Sequence, residues 1–156
     1  MVNLSELSPV AKTLNQKSNQ VNAVISKINA KLLTLNLGIE VWLELNDTGL
    51  NLASPDENSP ATKYRRRDLL GYAQCGKDWT WQLAIRQEKT TYEYNQEERQ
   101  EEAICEPGYT TPLLSASREL RIEAIQNMDA LLTMLKQHAD HIIKSINEAE
   151  AAADRL

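Results

Sequence analysis

The 156-residue sequence contains no phenylalanine, only two cysteines, and only five glycines and five prolines. Without phenylalanine, leucine, isoleucine, valine and the three tryptophans must fill the interior. Cys75 and Cys105 are too few for a disulfide framework and lack the paired spacing of a zinc site. Scarce glycine and proline point to a chain built mostly of regular elements. No run reaches the roughly 18 apolar residues of a membrane span. The opening MVNLSELSP has neither the basic region nor the apolar stretch of a secretory signal. A net charge of −5 removes the basic field that non-specific binding to nucleic acid or an anionic membrane requires. The expectation is a single domain over residues 1–156, cytoplasmic, with no membrane association and no cofactor.

What is present is ordinary globular composition, 42% hydrophobic and 25% charged, arranged in periodic segments. Near the N-terminus, Asn3 with Glu6 resembles a capping box, and Ser8 before Pro9 is a second helix-start signal. Leu7, Leu14, Val21, Ile28 and Leu35 follow at heptad spacing, flanked by Val10, Val24, Ile25 and Leu32, which is one face of a long amphipathic helix. Asn36 to Gly38 ends it, with Gly38 suited to a left-handed cap. From Gly38 to Leu45 the pattern switches to period two, the mark of a half-buried strand. The stretch from Asp47 to Thr62 reads as a surface loop. Asp68 to Cys75 and Trp79 to Arg86 form a hairpin around Gly76, Lys77 and Asp78, with Trp79, Trp81, Leu83 and Ile85 on its core face. Thr90 to Tyr94 continues that strand or forms another, and the acidic stretch from Asn95 to Glu106 reads as a loop.

Thr111 and Pro112 resemble a second helix start, with no glycine or proline from Leu113 onward and an apolar stripe through Leu114, Ile125, Met128, Leu132, Leu135, Ala139, Ile142, Ile146 and Ala149. The fold class expected is α+β: two long amphipathic helices flanking a three-stranded antiparallel meander. A last helix of about 40 residues would span roughly 60 Å, whereas a domain of this size is roughly 40 Å across. It must therefore kink, fray or project. Antiparallel packing of the two helices, with the surplus length forming a coiled-coil-like homodimer, is the expected outcome.

Several residues break the pattern. Arg121 projects into the apolar stripe, where a guanidinium needs a carboxylate such as Glu40 or Glu44, or an anionic ligand. Lys17 and Ser18 interrupt the first helix's stripe within a polar run from Asn15 to Asn22, suited to fixing register. Arg65, Arg66 and Arg67 beside Tyr64 could grip phosphate, or pair with Glu97, Glu98, Glu101 and Glu102. Arg86 and Arg118 would extend that cluster if the fold joined them. Trp42 shares its strand face with Glu40 and Glu44, so an exposed ring there would mark a binding or subunit surface. His138 and His141 stand three apart but lack a third metal ligand, and neither forms a convincing nucleophile pair with Cys75. With no catalytic constellation, the reading is a non-enzymatic interaction or regulatory protein that self-associates through its helices and meets a protein partner with its sheet face and loops. The alternative is a protein binding a small anion or nucleotide at Arg121 or at Arg65 to Arg67, with Trp42 stacking on a base.

Overall fold

The computed structural model describes residues 3–52, 63–95 and 97–155. The chain is α+β, with one antiparallel sheet and its helices packed into a common core. Helix α1 spans Leu4–Leu35, so of the two start signals Asn3 is the one used, its N–H donating to the Glu6 carboxylate at 3.2 Å. The helix runs on through Pro9 and ends at Asn36 rather than Gly38, with Asn36 in the left-handed conformation at φ 47°. Strand β1 (Val41–Asp47) and the two-residue β2 (Asn51–Leu52) pair in succession along one side of β3 (Lys63–Cys75). Strands β4 (Thr80–Asn95) and β5 (Gln100–Pro112) complete the order β1-β3-β4-β5.

The three-strand expectation is therefore short by one: among the described residues the sheet is four strands wide. The stretch from Asn95 to Glu106, expected as a loop, supplies most of β5, whose register runs from Asn95 opposite Gln100 to Ala84 opposite Pro112. Its residues are exposed almost throughout, so no alternation of buried and polar positions marks it as a strand. Residues 53–62 of the expected Asp47-to-Thr62 loop lie outside the described residues. Midway along β5, Gly108 and Tyr109 together face Gln87 where the register shifts, a bulge in which a Cβ on Gly108 would collide with the Gln87 carbonyl.

The expected last helix is also corrected. Thr111 and Pro112 end β5 instead of starting a helix. A single 3-10 turn, Leu113–Ser115, follows, and α2 (Arg118–Gln126) begins at Ser117, whose hydroxyl accepts from the Leu120 N–H at 3.3 Å. Asn127, at φ −102° and ψ 7°, separates α2 from α3 (Met128–Ala153). That division resets the helical phase, so the core positions of α3 are Met128, Leu131 and Leu135, with Leu132 left on the rim.

One sheet face carries Val41, Leu70, Tyr72, Leu83 and Ile85, and it meets Ile25 and Leu32 of α1, Leu113, Ala124 of α2, and Met128, Leu131 and Leu135 of α3. The opposite face (Trp42, Leu69, Gly71, Ala73, Cys75, Ala84, Arg86) takes no part in that core, so the helices cover one side of the sheet and do not flank it. Trp81 stacks on Tyr72 with centroids 5.5 Å apart. Trp79, expected beside it in the core, is 65% exposed. It sits at φ 50° as the last residue of the turn, so its side chain leaves the strand's alternation.

The terminal helices do not form the expected antiparallel pair. Helix α1 meets α2, through side-chain bonds from Arg118 to Asn15 (3.4 Å) and from Arg121 to Asn22 (2.6 Å), which ascend both helices in the same sense. A polar layer does cross the helix interface, but Asn15 and Asn22 build it rather than Lys17 and Ser18.

Candidate functional site

The residues singled out in the sequence fall into three neighbourhoods, the first two adjoining on one sheet face. The first is on the sheet face away from the helices. Trp42 on β1 lies opposite Gly71 on β3, and the ring occupies the space that a Cβ on Gly71 would fill. The Arg86 guanidinium stacks 4.0 Å over that ring. Glu40 holds both: its Oε1 accepts from the Trp42 indole N–H at 2.6 Å and from Arg86 at 3.2 Å, while Arg86 Nε donates to the Thr110 hydroxyl at 3.0 Å. Trp42 is half-buried. A base could stack on the ring face that Arg86 covers only by displacing Arg86 and breaking its two hydrogen bonds.

Beside this cluster, a groove of about 430 Å³ runs between the start of β1 and α3, lined by Glu40, Val41, Trp42, Met134, His138 and His141, among others. Both histidines are exposed. Among the described residues there is no set of three or more histidine, cysteine, aspartate or glutamate side chains placed to hold a metal ion.

The second neighbourhood is the arginine run on β3. Alternation along the strand puts Arg65 and Arg67 on one face and Arg66 on the other. Arg65 is paired with Asp47, and Arg67 bridges Glu88 at 2.8 Å and Glu44 at 3.3 Å. Their partners are thus the neighbouring strands, not the acidic stretch expected. Arg66 is exposed, 5.5 Å from the Tyr64 ring, which Lys89 also approaches at 5.5 Å. Arg86, opposite Leu69, lies beside Arg67 on the same sheet face but bonds Glu40 and Thr110, whereas Arg118 is on α2 and bonds Asn15.

The third neighbourhood is the interface of α1 and α2. Arg121 meets no carboxylate; its partner is the Asn22 amide oxygen at 2.6 Å. Arg118, one turn earlier, reaches the Asn15 amide oxygen at 3.4 Å. The Nε of each is buried without an acceptor among the described residues. Asn29, one heptad beyond Asn22, accepts from the Leu83 backbone N–H at 2.7 Å. Asparagine recurs at 15, 22, 29 and 36. This polar seam at heptad spacing is the one signal in the sequence that would have located the inner face of α1's polar contacts, and a search for apolar heptads passes over it.

The cysteines differ in setting. Cys75 is buried, and desolvation pushes its thiol above the ordinary range, which disfavours the thiolate a nucleophile needs. Cys105 is exposed on β5. Burial likewise raises the Tyr72 hydroxyl. Comparisons with protein-family models, with curated proteins and with solved structures each return no match, so the functional reading rests on the chain's own residues.

Proposed function

We propose that the protein is a non-enzymatic interaction or regulatory protein that associates with itself through its long helices. One observation carries the reading. Leu7, Val10 and Leu14 on α1, and Ile142, Ile143 and Ile146 on α3, are 38–61% exposed although they continue the stripes that build the core. Isolated apolar residues on a surface are unremarkable, but sets repeated at helical spacing mark association surfaces. Light scattering is expected to report a mass of two chains at high micromolar concentration. A monomer under those conditions overturns the reading.

A second reading, a site for a small anion or nucleotide, is favoured by the arginines of α2. Arg118 and Arg121 are two guanidiniums one turn apart that meet only amide oxygens among the described residues, each with a buried Nε lacking an acceptor. A phosphate or carboxylate is the complement such a pair takes. A ligand held at 100 times its dissociation constant would stabilise the fold by about 2.7 kcal/mol. A thermal-shift screen with nucleotides and phosphorylated metabolites is therefore expected to find a stabiliser whose effect Arg121→Met removes without unfolding the protein. A flat screen, or an Arg121→Met chain that is merely less stable, assigns Arg121 to holding α1 against α2.

A further inference from the structure

Two stretches of helix run out from the body of the molecule, touched at their inner ends where Arg118 bonds Asn15 and where His141 lines the groove beside β1. Every residue from Asn3 to Lys17 and every residue from Asp140 to Arg155 is exposed. Beyond those contacts the overhangs run from Leu4 to Leu14 on α1 and from Ile142 to Ala153 on α3, and at 1.5 Å per residue they are about 16–18 Å long. Both are amphipathic, with Leu7, Val10 and Leu14 on one and Ile142, Ile143 and Ile146 on the other.

They also leave at opposite ends. Helix α1 finishes at Leu35 and the chain enters β1 through Glu40 and Val41. His138 and His141 of α3 line the groove formed with those same residues, Glu40, Val41 and Trp42. The free part of α3 therefore departs where α1 ends, and the free part of α1, its N-terminal part, lies at the other end. The two overhangs of one chain cannot cover each other.

A second copy related by a two-fold axis across the helices solves both problems at once. Inverting the molecule brings the α3 overhang of one copy beside the α1 overhang of the other, antiparallel, and the same contact recurs at the far end. Charge favours this match over a like-with-like one. Within the exposed stretches α1 carries Lys12 and Lys17 against Glu6, whereas α3 carries Asp140, Glu148 and Glu150 against Lys144. Pairing α1 with α1 sets a net positive helix against itself. The outer edge of β5, the other extended surface, carries Glu101, Glu102, Glu106 and Pro107, residues that oppose the addition of a strand.

We infer that the partner is a second copy of this chain, and that each α1 overhang, lined by Leu7, Val10 and Leu14, is covered by the other copy's α3 overhang, lined by Ile142 and Ile146. The inference rests on the self-association reading and adds to it which helices meet.

Complementary charges placed on the apolar faces themselves test it on the full chain. Val10, Leu14, Ile142 and Ile146 are all exposed, so the variants fold, as a circular dichroism spectrum checks. Val10→Lys with Leu14→Lys, and separately Ile142→Glu with Ile146→Glu, are each expected to weaken the dimer by about tenfold or more, because each contact then sets charge against an apolar face. Mixing the two variants restores a dimer, since one contact becomes complementary in charge and the other keeps its natural residues. An Ile142→Glu, Ile146→Glu chain that dimerises as well as the natural one, or a mixture that stays monomeric, overturns the pairing. A natural chain that is monomeric throughout overturns self-association itself, and the two failures are told apart by that first measurement.

Discussion

Replacing Leu131 by alanine is expected to lower the unfolding free energy by about 2–5 kcal/mol, read from a urea or thermal melt. Leu131 is fully buried and belongs to the cluster in which Met128 and Leu135 of α3 meet Leu70, Tyr72, Leu83 and Ile85 of the sheet. Removing its outer carbons forfeits their transfer energy and leaves a cavity that the sheet and three helices must together close. Against a typical stability of roughly 5–15 kcal/mol, that is a large fraction. The neighbouring Leu132→Ala is the internal control. Leu132 is 37% exposed, so its loss should cost clearly less, about 1 kcal/mol. Equal effects at the two positions, or the larger one at Leu132, would mean that α3 presents a different face to the sheet.

The second large effect is expected at Asn29. Strand β5 stops at Pro112, opposite Ala84 of β4. Leu83, the next residue of β4 toward its start, has no strand on that side among the described residues, and its buried N–H would be orphaned there. The Asn29 amide oxygen takes it at 2.7 Å, so a helix side chain finishes the ladder that β5 leaves incomplete. Asn29→Leu removes the acceptor without opening a cavity, and a buried donor left unpaired costs about 1–3 kcal/mol. Asn19→Leu, at an exposed position of the same helix, should change stability little. A melt in which Asn29→Leu matches the natural chain would show that the Leu83 N–H finds another partner and that the asparagine seam has no part in docking α1.

Both predictions rest on features that the sequence displays only in part. Strong periodicity was readable. Helix α1, β1 and the β3–β4 hairpin lie close to where heptads, alternation and turn residues put them. What failed were places where tertiary context replaces local pattern. Strand β5 belongs to an arm with little buried surface, and without a buried face a strand has no period to read. The break at Asn127 has neither glycine nor proline to announce it; there the Asn127 side chain donates to the Glu123 carbonyl at 2.9 Å. An uninterrupted projection through that point selects Leu132 and misses Leu131. Trp79 left the core because the turn is one residue longer than the alternation implied.

The candidate residues were legible as types but not in their partners. Arg121 was visible as a cation on an apolar stripe, and nothing local could indicate Asn22, 99 residues away. The partner of Arg67 was hidden by a single residue. The hairpin read around Gly76, Lys77 and Asp78 sets Gln87 opposite Arg67, and the turn observed, longer by one residue, is what brings Glu88 there to form the ion pair. Trp42 is legible as a tryptophan between two glutamates on its strand face. That Arg86 would cover it depends on β4 lying one strand beyond β3, a matter of sheet order that no spacing encodes.

The register of β4 also limits what oxidation can do to this chain. Cys75 lies across from Thr80 and Cys105 across from Thr90, and ten residues of strand separate those positions by about 34 Å. A disulfide tolerates Cα atoms no more than about 7 Å apart. The two thiols therefore cannot join within one folded molecule, and any cross-link formed while the sheet is intact must run outward from Cys105 to a different chain.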